Sequence, residues 1–463
     1  MKVFLLALAC LALGFGSIEA RKPNVIYILA DDLGYGDLGS YGQAKVPTPN
    51  LDRLAESGMR FTDHYSGSSV CAPARSSLLT GLHTGRTPIR GNAERQPEGQ
   101  VPMPANTYTV AHYLQHFGYQ TAVFGKWGLG YPGSVSDPLK MGFDRFYGYN
   151  CQRMAHSYYP AWLWDDDQRE FLSGNTRSFQ NRDYAPDFIQ REVLSFINQN
   201  KDQPFFIYYA IIQPHADMDA PEEYMEKFRG KFPEEQPYEE DYYLGQEEPY
   251  TAFAAMITIL DEYVGELMEE IDRLGLAEDT LILFSSDNGP HDEGGANPEY
   301  FNSSGDFRGI KRDLYEGGIR VPLIASWPGH IAPGSVSDHP SAFWDFFPTM
   351  VDLVKKRSYA ATDGISFLPT LLGEEDQEQH EYLYWEFPQK GGRLAVRSGK
   401  WKGVRYNVHK DPSSTLELYN LEIDPGETTN VAADHPEIVA RLGAYMREAH
   451  EESAYPTFAI VVE

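Results

Sequence analysis

Short apolar runs recur along this chain and restrict its fold more than any other feature. Residues 24–29 (Asn-Val-Ile-Tyr-Ile-Leu) lack the polar alternation of a half-exposed strand, as expected of a strand buried on both faces. Residues 121–124, 205–209 and 281–284 read likewise, and 321–325 is a fifth candidate. Helical spacing fills the gaps, at 50–56, 107–117, 188–198 and 252–274. In the last of these, Phe253, Met256, Ile257, Leu260, Val264, Leu267, Met268 and Ile271 recur at helical intervals. Strands alternating with helices predict an α/β fold with a large, mostly parallel sheet flanked by helices. With 463 residues, 42% of them hydrophobic, the chain can bury a large core.

The chemistry-bearing residues follow these runs. Asp31-Asp32, Gly125-Lys126 and Asp287-Asn288 each stand directly after a strand candidate. Open α/β sheets bind ligands outside the carboxyl ends of their strands, so the three motifs predict one shared pocket. Carboxylates and an Asn amide oxygen are hard donors suited to Ca²⁺ or Mg²⁺. Taken singly, each motif also reads as ordinary turn chemistry. Cys71, in Ser-Val-Cys-Ala-Pro-Ala-Arg-Ser-Ser-Leu-Leu-Thr-Gly over 69–81, does not belong with such a site, because thiolate is a soft ligand. It fits there only once oxygen replaces its sulfur. From Ser76 onward the sequence reads as a helix.

Other segments divide the chain. Residues 1–20 carry Lys2, an apolar stretch and a small residue at the end, which reads as a secretory signal peptide. Its removal leaves two cysteines, Cys71 and Cys151, and no further run of transmembrane length. This fits a periplasmic or secreted enzyme that needs no disulfide. Residues 21–375 form the expected catalytic domain. Beyond it, short strand-like runs at 382–387, 393–397, 401–406 and 416–420, then a helix at 436–449, predict a smaller C-terminal antiparallel-sheet subdomain over 376–463. Residues 221–249, rich in Glu, Tyr and Pro, read as a surface excursion able to wall a cleft. The net charge of −28 argues against nucleic acid as a partner.

The pattern Cys71-x-Pro73-x-Arg75 followed by Leu78-Leu79-Thr80-Gly81 resembles the signature of type I, formylglycine-dependent sulfatases of the alkaline phosphatase superfamily. Asp31-Asp32, Gly125-Lys126-Trp127, Gln213-Pro214-His215, Asp287-Asn288-Gly289 and Lys311 ahead of Tyr315-Glu316-Gly317-Gly318 extend the likeness from residue 24 to about 330. The resemblance implies an alkaline-phosphatase-like fold and a maturation enzyme that converts Cys71 to formylglycine. The hydrated form, a geminal diol, supplies the nucleophile and a second hydroxyl through which sulfate is expelled. It further implies one divalent ion on Asp31, Asp32, residue 71, Asp287 and Asn288, with Ca²⁺ expected and Mg²⁺ the alternative. Arg75 would hold the diol oxygen, Lys126 and Lys311 would bind sulfate oxygens, and His215 would serve the leaving oxygen.

One position departs from the family pattern. Sulfatases commonly read Gly-Lys-Trp-His, whereas Gly128 stands here in place of the histidine that takes the diol proton. His156 is the candidate substitute and His83 the second. Arg90, Asn92 and His291 are candidate substrate contacts. The aromatic run 156–164 reads either as a sugar-stacking surface or as packed loop core. A sulfated carbohydrate, with 6-sulfated galactose or N-acetylgalactosamine units, is the expected substrate. The alternatives are a phosphate diester or phosphonate ester hydrolase and a non-catalytic binder of sulfated glycans.

Overall fold

The computed structural model describes residues 21–175, 182–355 and 360–462; the expected signal peptide lies outside them. Strand Asn24–Ala30, wholly buried, lies inside the main sheet. It pairs in parallel with Phe205–Ala210 on one side and Thr280–Ser286 on the other. Gln120–Lys126 and then Arg145–Tyr149 continue the parallel order outward from Phe205–Ala210. Leu323–Ser326 joins Thr280–Ser286 antiparallel, and the sheet reaches ten strands through Met59–Phe61, Ser335–Ser337 and a hairpin of Trp162–Asp165 with Gln168–Phe171.

Side chains of a strand alternate between faces, and the central strand feeds two cores. Ile26, Ile28 and Ala30 pack under helices Pro49–Glu56, Ala185–Asn200 and Pro249–Arg273. Val25, Tyr27 and Leu29 pack under Cys71–Thr80, Val110–His116 and Phe346–Val354. Burial of each large aliphatic residue there contributes about 1.5–3 kcal/mol. The expected α/β layering is therefore observed.

A four-stranded antiparallel sheet follows, in the order Leu383–Phe387, Arg393–Ser398, Trp401–Tyr406, Glu417–Asn420, with helix Pro436–Ala449 packed on it. It is tied to the first part through fully buried charges. The Lys402 ammonium lies 2.8 Å from Glu316 and 3.1 Å from Glu427, and Arg90 lies 2.7 Å from Glu386.

Three local expectations change. The signature helix starts at Cys71, five residues before Ser76, because Pro73 lies in the first turn, where a missing N–H leaves no hydrogen bond unmade. The aromatic run is mostly packed: Tyr158 stacks on Tyr184, while Trp162 and Trp164 sit on the edge hairpin against Arg169. The 221–249 stretch contains a helix, Glu222–Phe228, anchored in the core by Met225 and Phe228. Among the described residues no helix is long and apolar enough to cross a membrane.

Candidate active site

Register brings the acidic motifs together. Strands Asn24–Ala30 and Thr280–Ser286 run in step up to Ala30 opposite Ser286, so the next residues emerge side by side. The Asp287 N–H donates to the Ala30 carbonyl at 3.0 Å. Asp32 takes a left-handed backbone (φ 65°), a region where Asp is among the residues tolerated. Its N–H donates to Asp287 Oδ1 at 3.1 Å. Asn288 Nδ2 donates to Asp32 Oδ1 at 2.7 Å, while Asn288 Oδ1 is buried without a hydrogen-bond partner.

The signature helix delivers Cys71 and Arg75 to this group. Cys71 Sγ lies 3.3 Å from Asp31 Oδ1. Ligand atoms of Asp31, Asp32, Cys71 and His215 lie within 4.8 Å of one another. Arg75, fully buried, donates through Nε and Nη2 to Asp287 Oδ2 at 3.2 and 2.7 Å, and through Nη1 to the Lys126 carbonyl at 2.8 Å. Lys126 Nζ lies 2.5 Å from Asp31 Oδ2. Lys311 Nζ donates to Asp32 Oδ2 at 2.7 Å and Glu293 Oε2 at 2.8 Å, and lies 3.3 Å from His215 Nε2. Its loop is laid across both motifs: Lys311 N–H donates to the Pro290 carbonyl and Arg312 N–H to the Ser69 carbonyl, each at 2.8 Å.

Burial opposes every charge here, and the neighbours decide each outcome. Burial raises Asp31, yet Lys126, His215 and Arg75 hold it well below the usual carboxylate range. Lys311 and His215 do the same for Asp32. Asp287 goes the other way: burial and then the Asp31 charge push it up, beyond what Arg75 offsets. Burial, followed by Asp31, pushes the Cys71 thiol well up. Burial and Lys311 push His215 down to about 4. Its Nδ1 is hydrogen-bonded to the Ala216 carbonyl, which leaves Nε2 as the titrating atom.

Above these groups opens a cleft of about 520 Å³, lined by Cys71, Lys126, His156, His215 and Lys311. His156 stacks on His215 with ring centroids 4.8 Å apart. Asn92 also lines the cleft and accepts from the Ala72 N–H at 3.1 Å. Two sequence candidates, Arg90 and His83, are engaged elsewhere, while His291 stands behind the cleft, its ring 5.9 Å from that of His215 and a ring nitrogen within 4.8 Å of ligand atoms of Asp32 and Glu293. Arg90 is buried and committed to Glu386, Thr87 and Glu451. His291 is buried, with Nε2 3.1 Å from the Pro214 carbonyl and Nδ1 accepting from the Glu293 N–H. His83 packs on Trp344 and Tyr384, 3.5 Å from Asp363. Sequence reasoning missed Gln152, Arg153, Tyr242, Tyr243, Glu293 and Arg312, all of which line the cleft. Only the 221–249 excursion gave any signal, for the two tyrosines.

A model of the sulfatase family matches residues 23–356. The chain belongs to the sulfatase family. A second model, N-sulphoglucosamine sulphohydrolase C-terminal, matches residues 307–452. Arylsulfatase A from Homo sapiens is 35% identical over 482 residues, covering 93% of this chain and 88% of that protein. N-acetylgalactosamine-6-O-sulfatase from Bacteroides thetaiotaomicron is 29% identical, covering 92% of each. The crystal structure of Ps i-CgsB in complex with k-i-k-neocarrahexaose superposes with a TM-score of 0.80 at 26% identity, covering 96% of this chain and 95% of that one. The protein is accordingly a sulfuric ester hydrolase with the alkaline-phosphatase-like sulfatase fold.

Proposed function

We propose that this sulfatase removes sulfate from a sulfated carbohydrate, with 6-sulfated galactose or N-acetylgalactosamine units as the substrate class. The carrying observation is that Cys71 meets buried Asp31 and Asp32 at the base of a cleft that also presents Lys126 and Lys311. Two relatives are N-acetylgalactosamine-6-sulfatases from Mus musculus and Bacteroides thetaiotaomicron, and they support the sugar assignment.

Asp31, Asp32, Asp287 and Asn288 would hold one divalent ion, Ca²⁺ or alternatively Mg²⁺, with residue 71 as a further donor. The donor set is hard, and the partnerless Asn288 Oδ1 adds a neutral oxygen. A bound divalent ion supplies positive charge to the three carboxylates and acidifies an oxygen donor beside them. A thiolate is a soft ligand that suits neither ion, which supports conversion of Cys71 to formylglycine by a maturation enzyme.

The remaining side chains bind, orient and move a proton. Lys126 and Lys311 are compact point charges suited to the oxygens of a tetrahedral anion. Arg75, fixed by Asp287 and the Lys126 carbonyl, orients the oxygen at residue 71. Burial and then Lys311 push His215 down, and the negative charge of a bound sulfate would oppose both, with Nε2 as the atom placed to serve the departing sugar oxygen. His156, on the cleft wall, is the side chain nearest in kind to the histidine absent at 128, but burial and then His215 push it well down, which leaves it a weak base. We assign residues 1–20 to export, 21–375 to catalysis and 376–463 to the C-terminal unit, which places the enzyme in the periplasm or outside the cell.

Two measurements test this. Mass spectrometry of the Cys71 peptide from the native host is expected to show formylglycine; an unmodified thiol defeats the mechanism. Sulfate release is then assayed on defined sulfated mono- and disaccharides, with an aryl phosphate diester for comparison. Preference for the phosphate diester overturns the substrate assignment.

A further inference from the structure

We propose that Gln152 is a positioning residue for the sulfate group, donating a hydrogen bond from its side-chain amide to a sulfate oxygen held between Lys126 and Lys311. The inference rests on the sulfate-ester reading of the cleft and names a contact that no sulfatase motif in this sequence contains.

Gln152 is only 6% exposed, yet its Nε2 has no hydrogen-bond partner. A buried amide donor left unsatisfied costs about 1–3 kcal/mol, so such a group calls for an explanation. Gln152 lines the same cleft as Cys71, Lys126 and Lys311. Its placement is built rather than incidental. Strands Gln120–Lys126 and Arg145–Tyr149 pair to their ends, and the pairing continues as Trp127 and Gly128 donate to the carbonyls of Tyr149 and Asn150. The chain then turns, and the Gln152 N–H is held by Gln100 Oε1 at 2.9 Å. The side chain thus lies over the segment that carries Lys126.

Gly128 makes room for it. The backbone there is left-handed (φ 70°), and a Cβ would stand 2.7 Å from Gln152 Cγ and 3.0 Å from Nε2. The missing side chain at 128 and the buried amide of 152 therefore occupy one space. A carboxamide donates without adding charge to a cleft whose lining already holds Lys126, Lys311, Arg153 and Arg312 beside Glu94 and Glu293. It cannot take up a proton, so Gln152 supplies position and leaves the base to another group.

The test uses Gln152→Leu, which keeps bulk without a donor, and Gln152→Glu, which keeps shape and replaces the donor by a carboxylate. Both are read in the matured enzyme by thermal melting, by kcat and KM on an aryl sulfate, and by calorimetric affinity for inorganic sulfate. The expected result for Gln152→Leu is a wild-type melt, with sulfate affinity and kcat/KM each lowered about tenfold to a hundredfold, the size of one hydrogen bond to a charged group. Gln152→Glu is expected to lose more of both, because it places a negative charge beside the anion. Wild-type sulfate affinity in either folded variant overturns the proposal. If Gln152→Leu does not fold, Gln152→Glu decides alone. Sulfate binding is read directly, so a wild-type protein that binds sulfate but hydrolyses no ester counts against the hydrolase reading and not against Gln152.

Discussion

Asp287 carries more of the candidate site than any other single residue. One oxygen takes both Arg75 donors, and the other takes the Asp32 N–H. Its carboxyl is also the one that burial and the Asp31 charge push up, to about 7, where its neighbours Asp31 and Asp32 are held low. A third buried negative charge with too little nearby positive charge is what a divalent cation would balance. Asp287→Asn keeps the shape and removes that charge. The expected outcome is loss of bound ion together with a fall in sulfate release larger than the about 10–100-fold that loss of a supporting group costs a metal site. Elemental analysis and a turnover assay on the same preparation check it, with a melting curve to report separately on Arg75, which loses its charged partner. Full turnover with ion retained would remove Asp287 from the metal site.

At the scale of elements, two connections invite tests. Lys402, on strand Trp401–Tyr406, joins the small sheet to Glu316, which opens the short helix Glu316–Ile319. Burial raises Glu316, but Lys402, Arg320 and Arg397 bring it down to about 2. Lys402→Met leaves Glu316 and Glu427 buried without that cation. The expected cost is about 3–5 kcal/mol of stability, measured by denaturant unfolding. An unchanged midpoint would mean that the small sheet docks without this ion cluster. The second connection is the 221–249 excursion, which brings Tyr242 to the cleft, 64% exposed and with its ring 5.9 Å from that of His156. Tyr242→Ala is expected to raise KM for a sulfated oligosaccharide by about 5-fold or more, the loss of about 1 kcal/mol or more that truncating an anchoring aromatic contact costs, while KM for a small aryl sulfate stays put. Equal effects on both substrates would deny it a sugar contact. These elements also mark what the sequence made legible. Central strands such as 24–30 were readable because burial on both faces leaves an unbroken apolar run, and the charged motifs were readable because they stand at those strand ends. The hairpin 162–171 was not, since an edge strand needs no such run and its tryptophans read equally as a sugar platform. Gln152 and Glu293 were hidden for another reason: each is an ordinary polar residue locally, and only tertiary pairing with Gly128 and Lys311 gives it a role.

The whole molecule presents a contradiction between its far field and its near field. The chain carries −28, yet its cleft gathers Lys126, Lys311, Arg153 and Arg312 against only Glu94 and Glu293 in its lining, an excess of positive charge to receive an anion. Range decides which a substrate feels. At about 10 mM ionic strength the Debye length is about 30 Å, so an approaching sulfated glycan meets the summed negative surface before it meets the cleft. At about 150 mM the length is about 8 Å, the distant carboxylates are screened, and Lys126 and Lys311, the buried pair among these cations, keep most of their pull with little solvent between them and the ligand. Association with a polysulfated oligosaccharide should therefore speed up as salt is added across this range. The expected outcome is a rise in kcat/KM from 10 to 150 mM salt with kcat nearly constant, because kcat reports events after the substrate has passed the outer field. A singly sulfated monosaccharide, with fewer charges to repel, should respond less. Initial rates at fixed pH and fixed divalent-ion concentration measure both. A steady fall in kcat/KM for the oligosaccharide over the same range would mean that the cleft's own cations reach further than the surface charge, and that the acidic surface takes no part in substrate capture.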